Sequence, residues 1–171
     1  MSTVKPKQPA PELAVETLGG EGFRLSDQHP ERFTMIVFYR GVHCPVCTEY
    51  VGELGQRTDE FRDRGVNVIA VSGDSRERAE QARGEWNLGD LEVGHGLSTD
   101  AMREWGLFIS RGIADHEPKQ FSEPGLFLID PEGAVFYEGI NSMAFGRPPL
   151  EEMRDAVDFV RENDYPARGE A

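Results

Sequence analysis

Cysteine is scarce in this chain: 2 in 171 residues, Cys44 and Cys47, with only Pro45 and Val46 between them. A bridge across so short a loop would remove little entropy from the unfolded chain, which argues against a disulfide-stapled scaffold. The same shortage argues against zinc, because structural zinc needs about four Cys or His ligands. The 4 His are scattered, and only His43 adjoins the pair. Positive charge is also short. Lys and Arg number 18 against 31 Asp and Glu, for a formal net charge of -13 and a pI of about 4.7. That field repels nucleic-acid phosphates and anionic membrane surfaces. Long apolar runs are missing as well: Met35 to Tyr39 and Leu126 to Ile129 fall far short of the ~20 residues that cross a bilayer. Met1 to Pro11 is polar and proline-rich, without the basic and apolar blocks of a secretory leader. These absences lead us to expect a soluble, cytoplasmic protein with no nucleic-acid or membrane partner, no cofactor and no metal.

What is present is an alternation of short apolar blocks with Gly, Pro and charged segments, and 38% of residues are hydrophobic. The length suits one domain over residues 1–171, with the Pro-rich lead 1–11 and the polar tail 165–171 peripheral. Leu13 to Leu25 reads as a hairpin around Gly19, Gly20 and Gly22. Phe33 to Tyr39 is continuously apolar, as in a strand buried on both faces, and runs into Gly41 and Cys44. Pro45 to Arg64 spaces Val46, Tyr50, Val51, Leu54 and Phe61 largely as a helix does, and Gly65 ends it. Val66 to Val71 predicts another buried strand and Ser75 to Trp86 a charged helix. Leu91 to Leu97 predicts a short strand, and Thr99 to Trp105 a helix capped by Ser98 or Thr99. Ile109 to Glu123 has no period and reads as a loop. Leu126 to Ile129 and Ala134 to Glu138 flank Asp130-Pro131-Glu132-Gly133 as a hairpin, and a last helix covers about Pro149 to Glu162. The order predicts an α/β domain whose central mixed β-sheet has helices on both faces.

The two thiols fall where a buried strand gives way to a helix, so Cys44 should cap the helix and Cys47 should lie in its first turn. Unpaired backbone N–H groups and the helix dipole stabilise a negative sulfur there, and such settings lower a thiol pKa to about 3.5–7.5. Pro45 fits the first helical position, where its missing N–H costs nothing, and it stiffens the turn. Thiols this close can form and reopen a disulfide without large backbone motion. Protonated His43 would favour the thiolate or relay a proton, or it is a solvent-facing loop residue; Arg40 has the same two readings. Burial of both cysteines as small apolar residues is the alternative to any chemistry at all.

Phe38-Tyr39-Arg40-Gly41-Val42-His43-Cys44-Pro45-Val46-Cys47 resembles the active-site segment of the alkyl hydroperoxide reductase/thiol-specific antioxidant family, peroxiredoxin-like proteins of the thioredoxin superfamily. Ala70-Val71-Ser72-Gly73-Asp74-Ser75 and Pro124-Gly125-Leu126-Phe127-Leu128-Ile129-Asp130 extend the likeness over most of the chain. The resemblance implies a thioredoxin-like, peroxiredoxin-type fold. It places the family's peroxidatic cysteine on Cys47, its threonine on Cys44, its proline on Arg40 and its catalytic arginine on Pro124. Of these only the cysteine is retained, and the lost threonine and arginine are the groups that hydrogen-bond a peroxide. Pro124 falls where thioredoxins carry a cis-proline beside the dithiol. The thioredoxin likeness makes an exposed Cys44 the attacking thiol; the peroxiredoxin likeness makes it Cys47.

Three functions follow as expectations. The first is a dithiol oxidoreductase of antioxidant type, reducing disulfides or, less efficiently, peroxides through a Cys44–Cys47 cycle. The second is a true thiol peroxidase with Cys47 peroxidatic, and the third a non-catalytic redox-sensing module. The expected partners are a thiol electron donor (thioredoxin, glutathione or similar) and a disulfide or peroxide substrate, with a homodimer as a possible assembly.

Overall fold

The computed structural model describes residues 4–171, so the first three residues of the Pro-rich lead lie outside it. Its strands are β1 (Ala14–Thr17), β2 (Phe23–Arg24), β3 (Phe33–Phe38), β4 (Val66–Val71), β5 (Glu92–His95), β6 (Ile109–Arg111), β7 (Gln120–Ser122), β8 (Gly125–Ile129) and β9 (Val135–Ile140). Its helices are α1 (Pro45–Arg62), α2 (Arg76–Glu85), α3 (Thr99–Glu104) and α4 (Leu150–Asn163). A 7-stranded sheet runs in the order β2-β1-β5-β4-β3-β8-β9. Strands β3, β4 and β5 are parallel, and the remaining pairings are antiparallel. This is the mixed sheet that the alternation of elements implies.

Strand alternation builds a core on each face. Phe33, Met35 and Val37 of β3 turn toward α1, α2 and α4, where they pack with Val51, Leu54, Ala82, Met153 and Val157. Ile36 and Phe38 turn the other way, toward Met102 and Trp105 at α3. Every residue of β3 is buried. The site at its C-terminal end therefore grows from a strand held on both sides by neighbours and on both faces by side chains.

The hairpin after β8 forms as the Asp-Pro-Glu-Gly signal predicts: Asp130 Oδ1 accepts from the N–H groups of Glu132 and Ala134, and Gly133 takes φ +87°. The lead and the tail are less peripheral than their composition suggests. Val135 accepts from Lys7 N–H and donates to Gln8 O, Lys7 pairs with Glu170, and Ala167 is buried. The stretch from Ile109 to Glu123, read as a loop, contains the antiparallel pair β6 and β7. These strands are only three residues long and lack alternation, so they have no sequence period. Their connection closes because Gly112 donates to Lys119 O and passes so near Pro118 that an added Cβ would lie 2.2 Å from its carbonyl oxygen.

Candidate active site

The β3–α1 connection is shaped by a buried carboxylate. Asp74, in the turn after β4, accepts the Val42 N–H at 2.8 Å and the Arg78 Nε–H at 3.3 Å. Gly41 passes this group at φ +142°, and a Cβ there would sit 2.6 Å from Asp74 Oδ1, so both the conformation and the close approach require glycine. Cys44 N–H then donates back to Gly41 O at 3.2 Å, and the chain enters α1 with Cys44 in an extended conformation as the N-cap and Pro45 in the first turn. The Cys44 Sγ accepts the Cys47 N–H at 3.3 Å, a sulfur filling the role that a Ser or Asp oxygen usually takes. The spacing therefore puts the two cysteines where strand and helix meet, as the pattern predicts.

No disulfide joins them, and both thiols are screened from solvent: Cys44 is 1% exposed and Cys47 is 0% exposed. The expectation of an exposed Cys44 is thus corrected, because both cysteines pack into the core on the face of the sheet that α1 covers. What separates the two sulfurs is charge. Cys44 is pulled down to about 6, chiefly by the hydrogen bond its sulfur accepts from the Cys47 thiol. The Cys47 N–H, the Arg40 side chain and the charge of Arg147 act in the same direction. Cys47 is pushed far above the ordinary thiol range by burial and by donating to Cys44. The Arg147 guanidinium opposes that rise, its Nη2 donating to Cys47 Sγ at 2.7 Å. Burial outweighs it, so Cys44 is the more acidic thiol of the pair.

Arg147 was not identifiable from the sequence. It lies 100 residues beyond Cys47, in the loop between β9 and α4. The loop folds back because Asn141 Nδ2 donates to the carbonyls of Phe145 and Gly146. The Tyr50 hydroxyl, on the same face of α1 as Cys47, donates to Pro148 O at 2.6 Å, and the guanidinium carbon of Arg147 lies 4.9 Å from the centroid of the Tyr50 ring. The only sequence signal was an arginine stiffened by flanking residues in Gly146-Arg147-Pro148-Pro149.

Arg40 does lie at the dithiol. It pairs with Glu123 at 3.1 Å and stacks 4.6 Å from the Phe121 ring centroid, and its charge favours the Cys44 thiolate. His43 differs from expectation. Burial, with the charges of Arg40 and Arg78, pushes its imidazole down to about 4. Its ring packs 4.7 Å from Phe121, and neither nitrogen has a hydrogen-bond partner among the described residues. A protonated His43 is therefore not available at neutral pH to favour a thiolate. Pro124 sits close to this site, before β8, but the described residues contain no cis peptide bond, so the cis-proline implied by the thioredoxin likeness is corrected to trans. Trp86 packs on Tyr39 and Trp105 between Phe38 and Phe127, both as core residues. No helix of the described residues is long and apolar enough to cross a membrane.

Comparison with known proteins shows the family and the fold. Residues 6–138 match the AhpC/TSA family. The chain is 28% identical over 158 residues to a putative peroxiredoxin in the rubredoxin operon of Clostridium pasteurianum, covering 86% of this chain and 84% of that protein. It is 28% identical over 163 residues to the chloroplastic 2-Cys peroxiredoxin BAS1 of Arabidopsis thaliana, covering 90% of this chain and 59% of that one. Among solved structures, a peroxiredoxin-like protein from Aquifex aeolicus superposes with a TM-score of 0.75 at 20% identity, over 94% of this chain and 89% of the other. The reduced 2-Cys peroxiredoxin of Plasmodium vivax gives a TM-score of 0.75 at 17% identity, over 95% and 84%. At these identities the structural matches speak for the fold.

Proposed function

The chain belongs to the AhpC/TSA family and is a thiol oxidoreductase of the peroxiredoxin kind, and from that premise we propose that Cys44 and Cys47 cycle between dithiol and disulfide, with Cys44 as the attacking thiolate. The observation that carries the reading is the placing of the sulfurs: Cys44 caps α1 and its Sγ accepts the Cys47 N–H at 3.3 Å, which lowers Cys44 and makes it the more acidic thiol of the pair. At neutral pH Cys44 is thus ionised, and it attacks the terminal oxygen of a hydroperoxide. The O–O bond breaks, Cys44 becomes a sulfenic acid, and the departing alkoxide takes a proton to leave as an alcohol, or as water when the substrate is hydrogen peroxide. Cys47 then loses its proton and displaces hydroxide from the Cys44 sulfur, forming the Cys44–Cys47 bond and releasing water. Two thiols of an external donor reduce that bond and are themselves oxidised to a disulfide. A protein disulfide can replace the peroxide in the first step, giving a mixed disulfide that Cys47 resolves.

The residues give each step a physical basis. Arg40 and Arg147 bring positive charge to a low-dielectric site, where it stabilises both the thiolate and the oxygen leaving with the electron pair. Arg147 also has N–H groups at Nε and Nη1 with no hydrogen-bond partner among the described residues, placed to meet an oxygen acceptor. Arg147 is a long side chain extending from the β9–α4 loop, so its rotation can admit a small oxidant to sulfurs that the resting state covers. The donor is a small thiol or a thioredoxin-like protein in the cytoplasm.

One observation favours a second reading, in which Cys47 attacks and Cys44 resolves: the Arg147 contact at 2.7 Å falls on Cys47. Mass spectrometry of the Cys44→Ser and Cys47→Ser variants after brief peroxide treatment separates the two. We expect Cys47→Ser to trap a sulfenic acid on Cys44 and Cys44→Ser to stay reduced. The reverse pattern assigns the attack to Cys47, and oxidation of neither removes peroxide chemistry from the site.

A further inference from the structure

Glu123 precedes the strand that pairs with β3, and nothing in the chemistry above uses it. Its carboxylate is 3% exposed, a costly place for a charge unless it is paired. The Arg40 Nε lies 3.1 Å from its Oε1, and the Arg40 Nη2–H donates to its Oε2 at 3.3 Å. The Ser110 hydroxyl of β6 donates to Oε2 as well. Phe121 of β7 lies under the guanidinium plane, and the Glu123 N–H donates to Phe108 O at 2.8 Å. The β6–β7 pair thus forms a bracket fixing a carboxylate, an aromatic face and a hydroxyl around one arginine, whose positive charge lies close enough to Cys44 to favour its thiolate.

We propose that Glu123 is a positioning residue: with Ser110 and Phe121 it clamps the Arg40 guanidinium beside the dithiol, so that the arginine faces Cys44 in one fixed orientation. A free arginine side chain holds its charge in many rotamers and delivers little of it to any one atom. Held by an ion pair, a hydrogen bond and a ring, it delivers a directed N–H. The carboxylate has an opposing effect through space, since a negative charge near a thiol disfavours ionisation. The clamp must outweigh that repulsion, and this separates the proposal from a purely electrostatic role. The charged and titratable groups facing the dithiol are Arg40 and His43 after β3, Asp74 after β4, Glu123 before β8 and Arg147 after β9. His43 is neutral at pH 7, and Asp74 is engaged by Val42 and Arg78.

The inference rests on the proposed function only in taking Cys44 as the attacking thiol. Its test is the ultraviolet absorbance of the thiolate against pH in the reduced full-length protein, with no substrate added. Arg40→Met and Glu123→Ala should each raise the midpoint by about one pH unit, and the double variant should rise no further than either alone. Glu123→Gln keeps an acceptor for Arg40 and removes the repelling charge, so its midpoint should stay at or below that of the wild type. An unchanged or lowered midpoint in Glu123→Ala, additive shifts in the double variant, or a rise in Glu123→Gln equal to that of Ala would each overturn the proposal. Should Glu123→Ala fail to fold, Ser110→Ala removes only the hydroxyl on Oε2. A smaller rise there supports the clamp, and no change contradicts it. Loss of turnover does not enter these readings, so a failure of the proposed function is seen separately.

Discussion

At the scale of single residues the chemistry turns on where one proton resides. A thiol lowered from its usual value to about 6 is mostly ionised at pH 7. The rate of Cys44 oxidation by peroxide should therefore rise with pH through about 6 and be near its plateau at neutrality, in place of the steady climb of an ordinary thiol. The same shift favours the reduced fold as pH rises from about 6 toward the ordinary thiol range, because over that window the folded chain has released a proton that the unfolded chain retains. Stopped-flow oxidation across pH checks the first statement and urea unfolding of the reduced protein the second. Arg147→Met removes the cation donating to Cys47, and peroxide oxidation should slow by about tenfold or more while the unfolding midpoint changes little. His43→Phe keeps the packing on Phe121 and removes no charge at neutral pH, so it should leave the pH midpoint in place.

At the scale of elements, the helix bearing the dithiol is held against the loop that follows β9. Tyr50 provides the catch, donating its hydroxyl to Pro148 O and packing its ring on Arg147. Tyr50→Phe keeps the ring and loses the hydrogen bond, a change of about 1 kcal/mol. Alkylation of the buried thiols by iodoacetamide, followed by mass spectrometry, should become several-fold faster while circular dichroism stays as in the wild type. This is also the scale at which sequence reading reached its limit. The strands β3, β4 and β8 are legible as apolar runs buried on both faces, and the helices α1, α2 and α4 as the longer segments between turn residues, and Cys44 as a cap follows from Pro45 and the helical spacing after it. The short strands β6 and β7 carry no period, and they matter because of what they hold: Ser110, Phe121 and the approach to Glu123. Arg147 was hidden for another reason. Its role depends on a loop closing across the sheet edge, which no local pattern encodes, whereas Arg40 could be singled out because it is near the thiols in sequence as well as in space.

At the scale of the whole molecule, the sheet with a core on each face keeps the end of β3 rigid beneath reactive groups. Trp105 is fully buried between Phe38, the last residue of β3, and Phe127 of β8. Trp105→Ala should cost about 3–5 kcal/mol of stability, read by urea unfolding. The strong negative charge should keep the folded protein from nucleic acid and anionic vesicles, leaving the thiol site as the main point of contact with its substrates. The account as a whole is tested most directly by adding one equivalent of hydrogen peroxide to the reduced wild-type protein and mapping its cysteines by peptide mass spectrometry. It predicts a peptide lighter by two hydrogens with Cys44 bonded to Cys47 inside a single chain, reversed by a thiol reductant. A protein that retains both free thiols under these conditions, or joins its cysteines only between chains, would contradict it.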